Sequence, residues 1–354
     1  MTKRFSSKNI FTGTNSLKKL KSFLRKNNYS SVFILADPNT EKYCYRHLKK
    51  NLSHHRLISI PCGEENKNLK SCEKIWDFLN EFHADRNSVL INLGGGMISD
   101  LGGFAAGVFK RGINFIHIPT SLLSQCDASI GGKSGIDFKN FKNLLGIFQQ
   151  PNAVFIYPDF LKTLPKRELH SGLAEIIKHH LIADKYGFRK LLTLKTIPVD
   201  WKRLIRHSIK IKSAIVKKDP FEKNIRKALN FGHTIGHSIE SLFLEVPGKK
   251  LLHGEAIAIG IVAESFISFE KKLISIAELN QITDCIDKYF ELPQIDESGF
   301  DSLIELMMQD KKNEKGKFKF TLLNGIGNFK IDQPVETNQI ISSLQYYNFA
   351  MHSN

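Results

Sequence analysis

The chain has 354 residues, 42% of them hydrophobic, and carries 51 lysines and arginines against 35 acidic residues, a net charge of +16. That length and apolar content support a large core and two domains, which excludes a disordered chain. The five cysteines are scattered with no C-x-x-C pair, which excludes a disulfide scaffold and leads us to expect reduced thiols in a cytoplasmic protein. The N-terminus, M-T-K-R-F-S-S-K-N-I-F, lacks the apolar core of a signal peptide. The most apolar stretch, Ala256 to Phe269, carries Glu264 and reads as a buried helix rather than a membrane span. Lysines such as Lys18, Lys19, Lys49, Lys50, Lys217 and Lys218 are spread without interleaved aromatics, a solvated surface rather than a nucleic-acid interface.

The predicted elements begin with a helical pattern at Ser16–Lys26 and a strand at Ser31–Asp37. This strand runs into Asp37 and Asn39, and an acidic residue at a strand end can hydrogen-bond ribose hydroxyls. A strand at Arg56–Pro61 and a helix at Cys72–Phe82 follow. In the next strand, Ser88–Leu93, Val89 to Leu93 is a continuous β-rich run of the kind buried on both faces of a parallel sheet. It enters G-G-G-M-I-S-D-L-G-G-F, where Gly94, Gly95 and Gly96 allow close backbone approach and free amide N–H groups for a phosphate. The spacing is not the dinucleotide fingerprint G-x-G-x-x-G, so alone it reads equally as a strand-to-helix turn that needs glycine for steric reasons. Taken with the Asp37 strand end, it points to NAD. Strands at Phe115–Pro119 and Ala153–Tyr157 complete an alternation that predicts a Rossmann-like parallel sheet. After Leu164-Pro165 helical patterns dominate through Lys311, and β-rich character returns at Phe318–Leu323. The boundary is placed near residue 162, giving an α/β domain over 1–162 and a mostly α-helical domain over 163–354.

In the helical half, R-K-A-L-N-F-G-H-T-I-G-H-S-I-E, then L-L-H-G-E, place His233, His237 and His253 close in sequence. On a helix His233 and His237 share a face, with Asn230 one turn before and Arg226 another turn back. Such a face is costly to bury unless something binds there. The spacing resembles H-E-x-x-H but lacks its glutamate, which excludes a metalloprotease. It fits either a metal site or a polar helix face with satisfied histidines. S-G-L-A-E-I-I-K-H puts Glu175 inside an apolar helical stretch, where a carboxylate needs a partner; Lys178 is the nearest.

These segments, together with F-K-R-G, I-P-T-S-L-L-S-Q-C-D-A-S-I-G-G-K-S-G-I, F-K-N-L-L-G-I-F and L-K-T-L-P-K-R-E, occur in the order and spacing of one family. The chain resembles the 3-dehydroquinate synthases over roughly Ser31 to Gly327. Ser99 and Ser134 stand where that family usually has Gly and Thr, Ala128 where Ser is usual, and Asn224 where Gly is common. None of these removes a side chain to which the family assigns chemistry.

The resemblance implies a phosphate-eliminating lyase that converts 3-deoxy-D-arabino-heptulosonate 7-phosphate into 3-dehydroquinate and phosphate. NAD is reduced and reoxidised within each turnover, and the ring closes by an internal aldol step. It further implies that Glu175, His233 and His253 hold a zinc ion, replaceable by cobalt, with an open fourth position of the kind a catalytic site needs. His237 is then left for substrate or phosphate. For NAD the matching positions are Asp37, Asn39, Glu64, Lys67, Gly95, Gly96, Met97, Asp100, Thr120, Ser121 and Thr163, with Lys133 and Lys142 close to both ligands. For the phosphorylated sugar-acid substrate they are Asp127, Lys133, Lys142, Asn143, Lys178, Lys212, Glu222, Arg226, Asn230 and His237, with Lys311 or Lys312. Arg111 resembles an arginine that reaches the neighbouring subunit's substrate, so a homodimer is expected. Cyclases acting on sedoheptulose 7-phosphate share most of these motifs. Glycerol-dehydrogenase-like metal enzymes share the architecture but have no need of the lysine, arginine and asparagine cluster.

Overall fold

The computed structural model describes residues 7–52, 54–139, 141–194, 200–244, 250–308 and 318–352. Two compact units form: Met1–Leu169 with Trp201–Pro220, and His170–Asp200 with Phe221–Asn354. The first unit therefore runs a little past residue 162 and takes back the helix that follows Asp200.

The first unit is built on a six-stranded parallel sheet of β1 (Ile10–Thr12), β2 (Val32–Ala36), β3 (Arg56–Ser59), β4 (Val89–Gly94), β5 (Asn114–Pro119) and β8 (Ala153–Ile156), in the order β1-β8-β5-β4-β2-β3. The hairpin β6 (Lys133–Phe138) and β7 (Phe141–Phe148) is inserted before the last strand. Alternate residues of one strand serve opposite faces. Phe33, Leu35 and Leu90 pack in a cluster with Ile75, Ile98 and Leu101, whereas Ile34, Val89 and Ile91 pack with Leu17 and Leu20. Burial on both faces is why the central strands read as mainly apolar runs rather than as an apolar–polar alternation. The covering helices are α1 (Ser16–Asn27), α2 (Leu69–Glu81) and α3 (Gly96–Val108). Strand β1, three residues long, carries too short an apolar run to be visible in sequence.

The order of strand addition reverses between β2 and β4, since β3 lies outside β2 whereas β5 and β8 lie outside β4. Leu35 pairs with Asn92 and Gly94 with Pro119, so the carboxyl ends of β2, β4 and β5 stand abreast. In parallel α/β sheets ligands bind at that crevice.

The second unit takes α4 (Lys166–Ala183) from His170 onward, then α5 (Lys185–Thr193), while α6 (Trp201–Lys218) belongs to the first unit. It continues with α7 (His233–Leu244), α8 (His253–Glu270), α9 (Ile276–Tyr289), α10 (Phe300–Met308), the antiparallel hairpin β9 (Phe318–Leu323) and β10 (Phe329–Val335), and α11 (Thr337–His352). Helix α8 is buried almost all round, from Gly254 to Ser268. Among the described residues no helix is long and apolar enough to cross a membrane. All five cysteines are free thiols.

The segment before the first histidine departs from the expected single helix. Ile225–Asn230 is a separate 3₁₀ turn, the chain breaks at Phe231 and Gly232 (φ +78°), and α7 starts at His233. Arg226 and Asn230 therefore do not continue the face of His233 and His237. Gly232 is the reason, because its left-handed backbone ends one helical segment and redirects the next.

Candidate active site

In the first unit the glycine turn caps α3 at the crevice. Gly95 is the N-cap residue, and a Cβ placed there meets nothing closer than the Ser121 hydroxyl at 3.4 Å. Gly95→Val therefore folds normally, but its side chain fills the space over the α3 N-terminus that a phosphate needs. We expect loss of NAD binding, read by titration calorimetry, at nearly unchanged thermal stability. Asp37 Oδ1 accepts from the Asn39 and Thr40 amides, both at 2.9 Å, which shapes the turn after β2. Thr120 and Ser121 are buried at the end of β5, Met97 packs in the α3-side cluster, and Thr163 closes a 3₁₀ turn on the Phe160 carbonyl.

Lys67, 3% exposed, is the hub of a charge cluster. It pairs with Glu64, with Asp137 Oδ1 at 3.6 Å and with Asp100 Oδ2 at 3.9 Å, while Lys142 Nζ lies 3.8 Å from Glu64. Burial opposes the Lys67 charge, but Glu64, Asp100 and Asp137 outweigh it and raise its pKa. Burial also pushes the Asp100 carboxyl up to about 7, with Lys67 pulling the other way. Asp137 was not identified from sequence. Its amide donates to the Lys67 carbonyl at 2.8 Å and its Oδ1 accepts from the Asn143 amide at 2.7 Å. Asn143 sits at φ +52°, so Asp137 fixes a strained turn beside Lys142 and ties the β6–β7 hairpin to the Lys67 loop. Its partner Lys67 is remote in sequence, so no local signal marks that contact. On α6, Lys212 Nζ holds the Asp127 carboxylate at 2.7 Å and its carbonyl at 2.9 Å. Lys133 opens β6 at an exposed position. Arg111 is exposed in a turn where Lys110, Arg111 and Gly112 all have positive φ, a strained arrangement that presents the guanidinium outward.

In the second unit Glu175 is fully buried on α4, and Lys178 one turn on is its ion-pair partner. Two imidazoles converge on the same carboxylate. His233 Nε2 is 3.4 Å and His253 Nε2 3.7 Å from Glu175 Oε1. Oε2 carries the Lys178 ion pair, and Oε1 has no hydrogen-bond partner in the structure. Ligand atoms about 2.0–2.2 Å from a tetrahedral ion lie roughly 3.3–3.6 Å apart, so this donor set fits a zinc-like ion. His237 offers a third nitrogen, and one ligand nitrogen of each of the three histidines lies within 4.8 Å of the others.

Each imidazole is oriented by a neighbour. His233 Nδ1 is 3.1 Å from the Phe231 carbonyl, which can only accept, so Nδ1 carries the hydrogen and Nε2 faces Glu175. His253 Nδ1 lies 3.2 Å from Glu240 Oε2, which fixes the same tautomer. Burial, then the Lys178 charge, holds His233 down to about 4. For His253 burial is outweighed by Glu240 and Glu175, which lift it to about 9. Burial opposes the Glu175 charge, yet Lys178 and His233 hold its carboxyl well below the usual range. Glu240 was missed in the sequence although the signal was there: His233, His237 and Glu240 follow i, i+4, i+7 on one helix.

His253 reaches Glu175 because α8 starts against α4. The Gly254 amide donates to Ser171 Oγ at 3.0 Å, and a Cβ at Gly254 falls 1.9 Å from the Ser171 carbonyl. Gly254→Ala must push the α8 start away from Ser171. We expect metal affinity to fall by about 10-fold or more, measured by chelator competition.

Arg226, 2% exposed, and Asn230 lie on the 3₁₀ turn, and Asn230 Nδ2 donates to Glu222 Oε1 at 2.8 Å. Lys311 and Lys312 lie outside the described residues.

A parallel sheet with a glycine turn at its reversal point, and a buried carboxylate met by two oriented imidazoles, define a class: metal-site proteins on a dinucleotide-binding scaffold. Residues 57–171 match the family profile described as 3-dehydroquinate synthase N-terminal, and residues 172–313 the one described as 3-dehydroquinate synthase C-terminal. The 3-dehydroquinate synthase of Parabacteroides distasonis is 42% identical over 334 residues, covering 93% of this chain and 94% of that protein. The chain belongs to the 3-dehydroquinate synthase family. Among solved structures, the 2-epi-5-epi-valiolone synthase of Streptomyces hygroscopicus with NAD+ and Zn2+ bound superposes with a TM-score of 0.85 at 25% identity, over 98% of each chain. A 2-deoxy-scyllo-inosose synthase complexed with carbaglucose-6-phosphate, NAD+ and Co2+ gives 0.83 at 24% identity, over 98% of this chain and 99% of that one, and shows the shared fold.

Proposed function

We propose that this protein is a 3-dehydroquinate synthase, an NAD- and divalent-metal-dependent lyase that turns 3-deoxy-D-arabino-heptulosonate 7-phosphate into 3-dehydroquinate and phosphate. The observation that carries the reading is Glu175, fully buried, ion-paired through Oε2 with Lys178 and faced at Oε1 by the Nε2 atoms of His233 and His253. Bound NAD supplies a reversible hydride acceptor, and a bound zinc or cobalt ion a Lewis acid for a substrate hydroxyl.

The chain's own residues position and neutralise. Glu175, His233 and His253 hold the ion, and Lys178 keeps the Glu175 carboxylate ionised. Asp37, Asn39, Glu64, Lys67, Gly95, Gly96, Met97, Asp100, Thr120, Ser121 and Thr163 bind NAD. Lys133, Lys142, Asn143 and His237 take the phosphate end of the substrate. Arg226 and Lys212, joined by a lysine at 311 or 312, meet its carboxylate. Asp127, Glu222 and Asn230 orient those cations and the substrate hydroxyls. Such a residue set, rich in cations and poor in general bases, suits a reaction in which the leaving phosphate itself takes the proton. Residues 1–162 are thus assigned to NAD, and 163–354 mainly to metal and substrate. The exposed, strained turn at Arg111 supports a homodimer in which this arginine serves the partner's site. Free cysteines and the absence of a membrane-crossing helix among the described residues are compatible with a cytoplasmic enzyme.

Metal removal tests the reading. Dialysis against a chelator abolishes phosphate release while leaving the circular dichroism spectrum largely intact, and zinc or cobalt restores it. Full activity in protein shown to contain no divalent metal would reject the assignment.

A further inference from the structure

The buried acid Glu264, on α8, has no part in the metal or substrate sets described above. Its side chain is fully buried, and its carboxylate closes on the start of α7. Oε2 accepts from the Gly232 amide at 2.6 Å, and Oε1 from the Thr234 and Ile235 amides at 3.0 and 3.2 Å. Both oxygens accept from backbone N–H donors.

The α7 N-terminus needs this contact. The first amides of a helix have no partner within it, and an N-cap Ser, Thr, Asp or Asn normally serves them. Here the N-cap position is Gly232, where a Cβ falls 2.8 Å from Ile261 Cγ1 and 3.2 Å from the Ile261 amide nitrogen. No capping side chain fits there, so the acceptor comes from thirty residues further on. The α7 and α8 backbones are close enough for this because Gly260 faces Gly232, and a Cβ at Gly260 falls 2.0 Å from the Gly232 carbonyl.

The contact goes further than capping. The Gly232 N–H and the Phe231 C=O belong to one peptide group. Its N–H donates to Glu264, and its C=O accepts the Nδ1 hydrogen of His233. We propose that Glu264 is a positioning residue for the metal ligand His233, acting through the Phe231–Gly232 peptide to fix the imidazole and strengthen its Nε2 as a donor. A carboxylate behind a ligand histidine normally does this directly, as Glu240 does for His253. At His233 a peptide is inserted, and hydrogen bonds in series polarise one another.

The inference rests on the metal reading, and cobalt separates the two. Wild-type protein, Glu264→Gln and Ser268→Ala are titrated with Co2+, following the visible spectrum and chelator competition. Ser268 is the control. It is buried one turn further along α8 and bonds the Glu264 carbonyl and the Leu323 amide, both away from α7. In Glu264→Gln an N–H₂ group faces one of the donor amides. The expected result is cobalt affinity about 10- to 100-fold weaker with a shifted spectrum, while Ser268→Ala loses stability with unchanged affinity and spectrum. Equal affinity and spectrum in Glu264→Gln and wild type overturn the inference and leave the metal site standing. Failure of the wild-type protein to bind cobalt overturns both. If Glu264→Gln does not fold, hydrogen exchange of the wild-type amides decides. Metal loading slows Gly232, Thr234 and Ile235 if the relay exists, and unchanged exchange there rejects it.

Discussion

Glu175→Ala is expected to lose the metal, all measurable turnover and about 3–5 kcal/mol of stability, because it leaves the Lys178 ammonium buried without its counter-charge. Lys178 is 1% exposed and Glu175 is its ion-pair partner, so the cost is the desolvation of a lone cation rather than the loss of one contact. The same reasoning has an opposite consequence for the pair. Glu175→Leu combined with Lys178→Met removes both charges, and apolar replacements of similar volume are close to neutral for buried ion pairs. The double variant should recover most of the lost stability in urea unfolding, yet bind no zinc. Wild-type stability in Glu175→Ala would remove the ion pair from the explanation of this helix. Recovery of metal binding in the double variant would remove Glu175 from the ligand set.

Arg226→Ala carries the second large effect, on substrate choice. Its guanidinium is almost wholly buried and can meet a carboxylate in a two-pronged contact. Sedoheptulose 7-phosphate has a hydroxymethyl group where the heptulosonate has that carboxylate, so it cannot offer Arg226 the charged two-pronged contact. The wild-type preference is expected to be about 2–5 kcal/mol, roughly 30-fold to several thousand-fold in kcat/KM. In Arg226→Ala most of that preference disappears, chiefly through KM for the heptulosonate phosphate. Comparable wild-type turnover of the two sugars would favour a sedoheptulose phosphate cyclase.

The sheet was legible because its strands are buried on both faces. Val32 to Ala36 is apolar without a break, and Val89 to Leu93 is apolar except for Asn92. The β6–β7 hairpin was not, since Gly135, Gly146 and the charged Asp137 and Lys142 break its alternation. The break at Phe231–Gly232 was also hidden: residue spacing alone continues one helix through Asn230 and His233, and only the positive φ of Gly232 separates them. Spacing did bring out His233 and His237, and the apolar setting of Glu175 marked it as a group needing a partner. Their supports were less visible. Glu264 acts on amides about thirty residues away, Asp137 reaches the Lys67 carbonyl seventy residues before it, and the Gly254–Ser171 contact is a matter of backbone distance. The return of α6 to the first unit, with Lys212 on Asp127, has no sequence signature either.

The most direct measurement follows phosphate release and absorbance at the NADH band in one reaction of the metal-loaded enzyme with the heptulosonate phosphate and a catalytic amount of NAD. Phosphate is expected to rise to many equivalents per NAD, with 3-dehydroquinate formed one for one and no lasting NADH. Stoichiometric NADH accumulation without phosphate would contradict the assignment and identify an ordinary metal-dependent dehydrogenase.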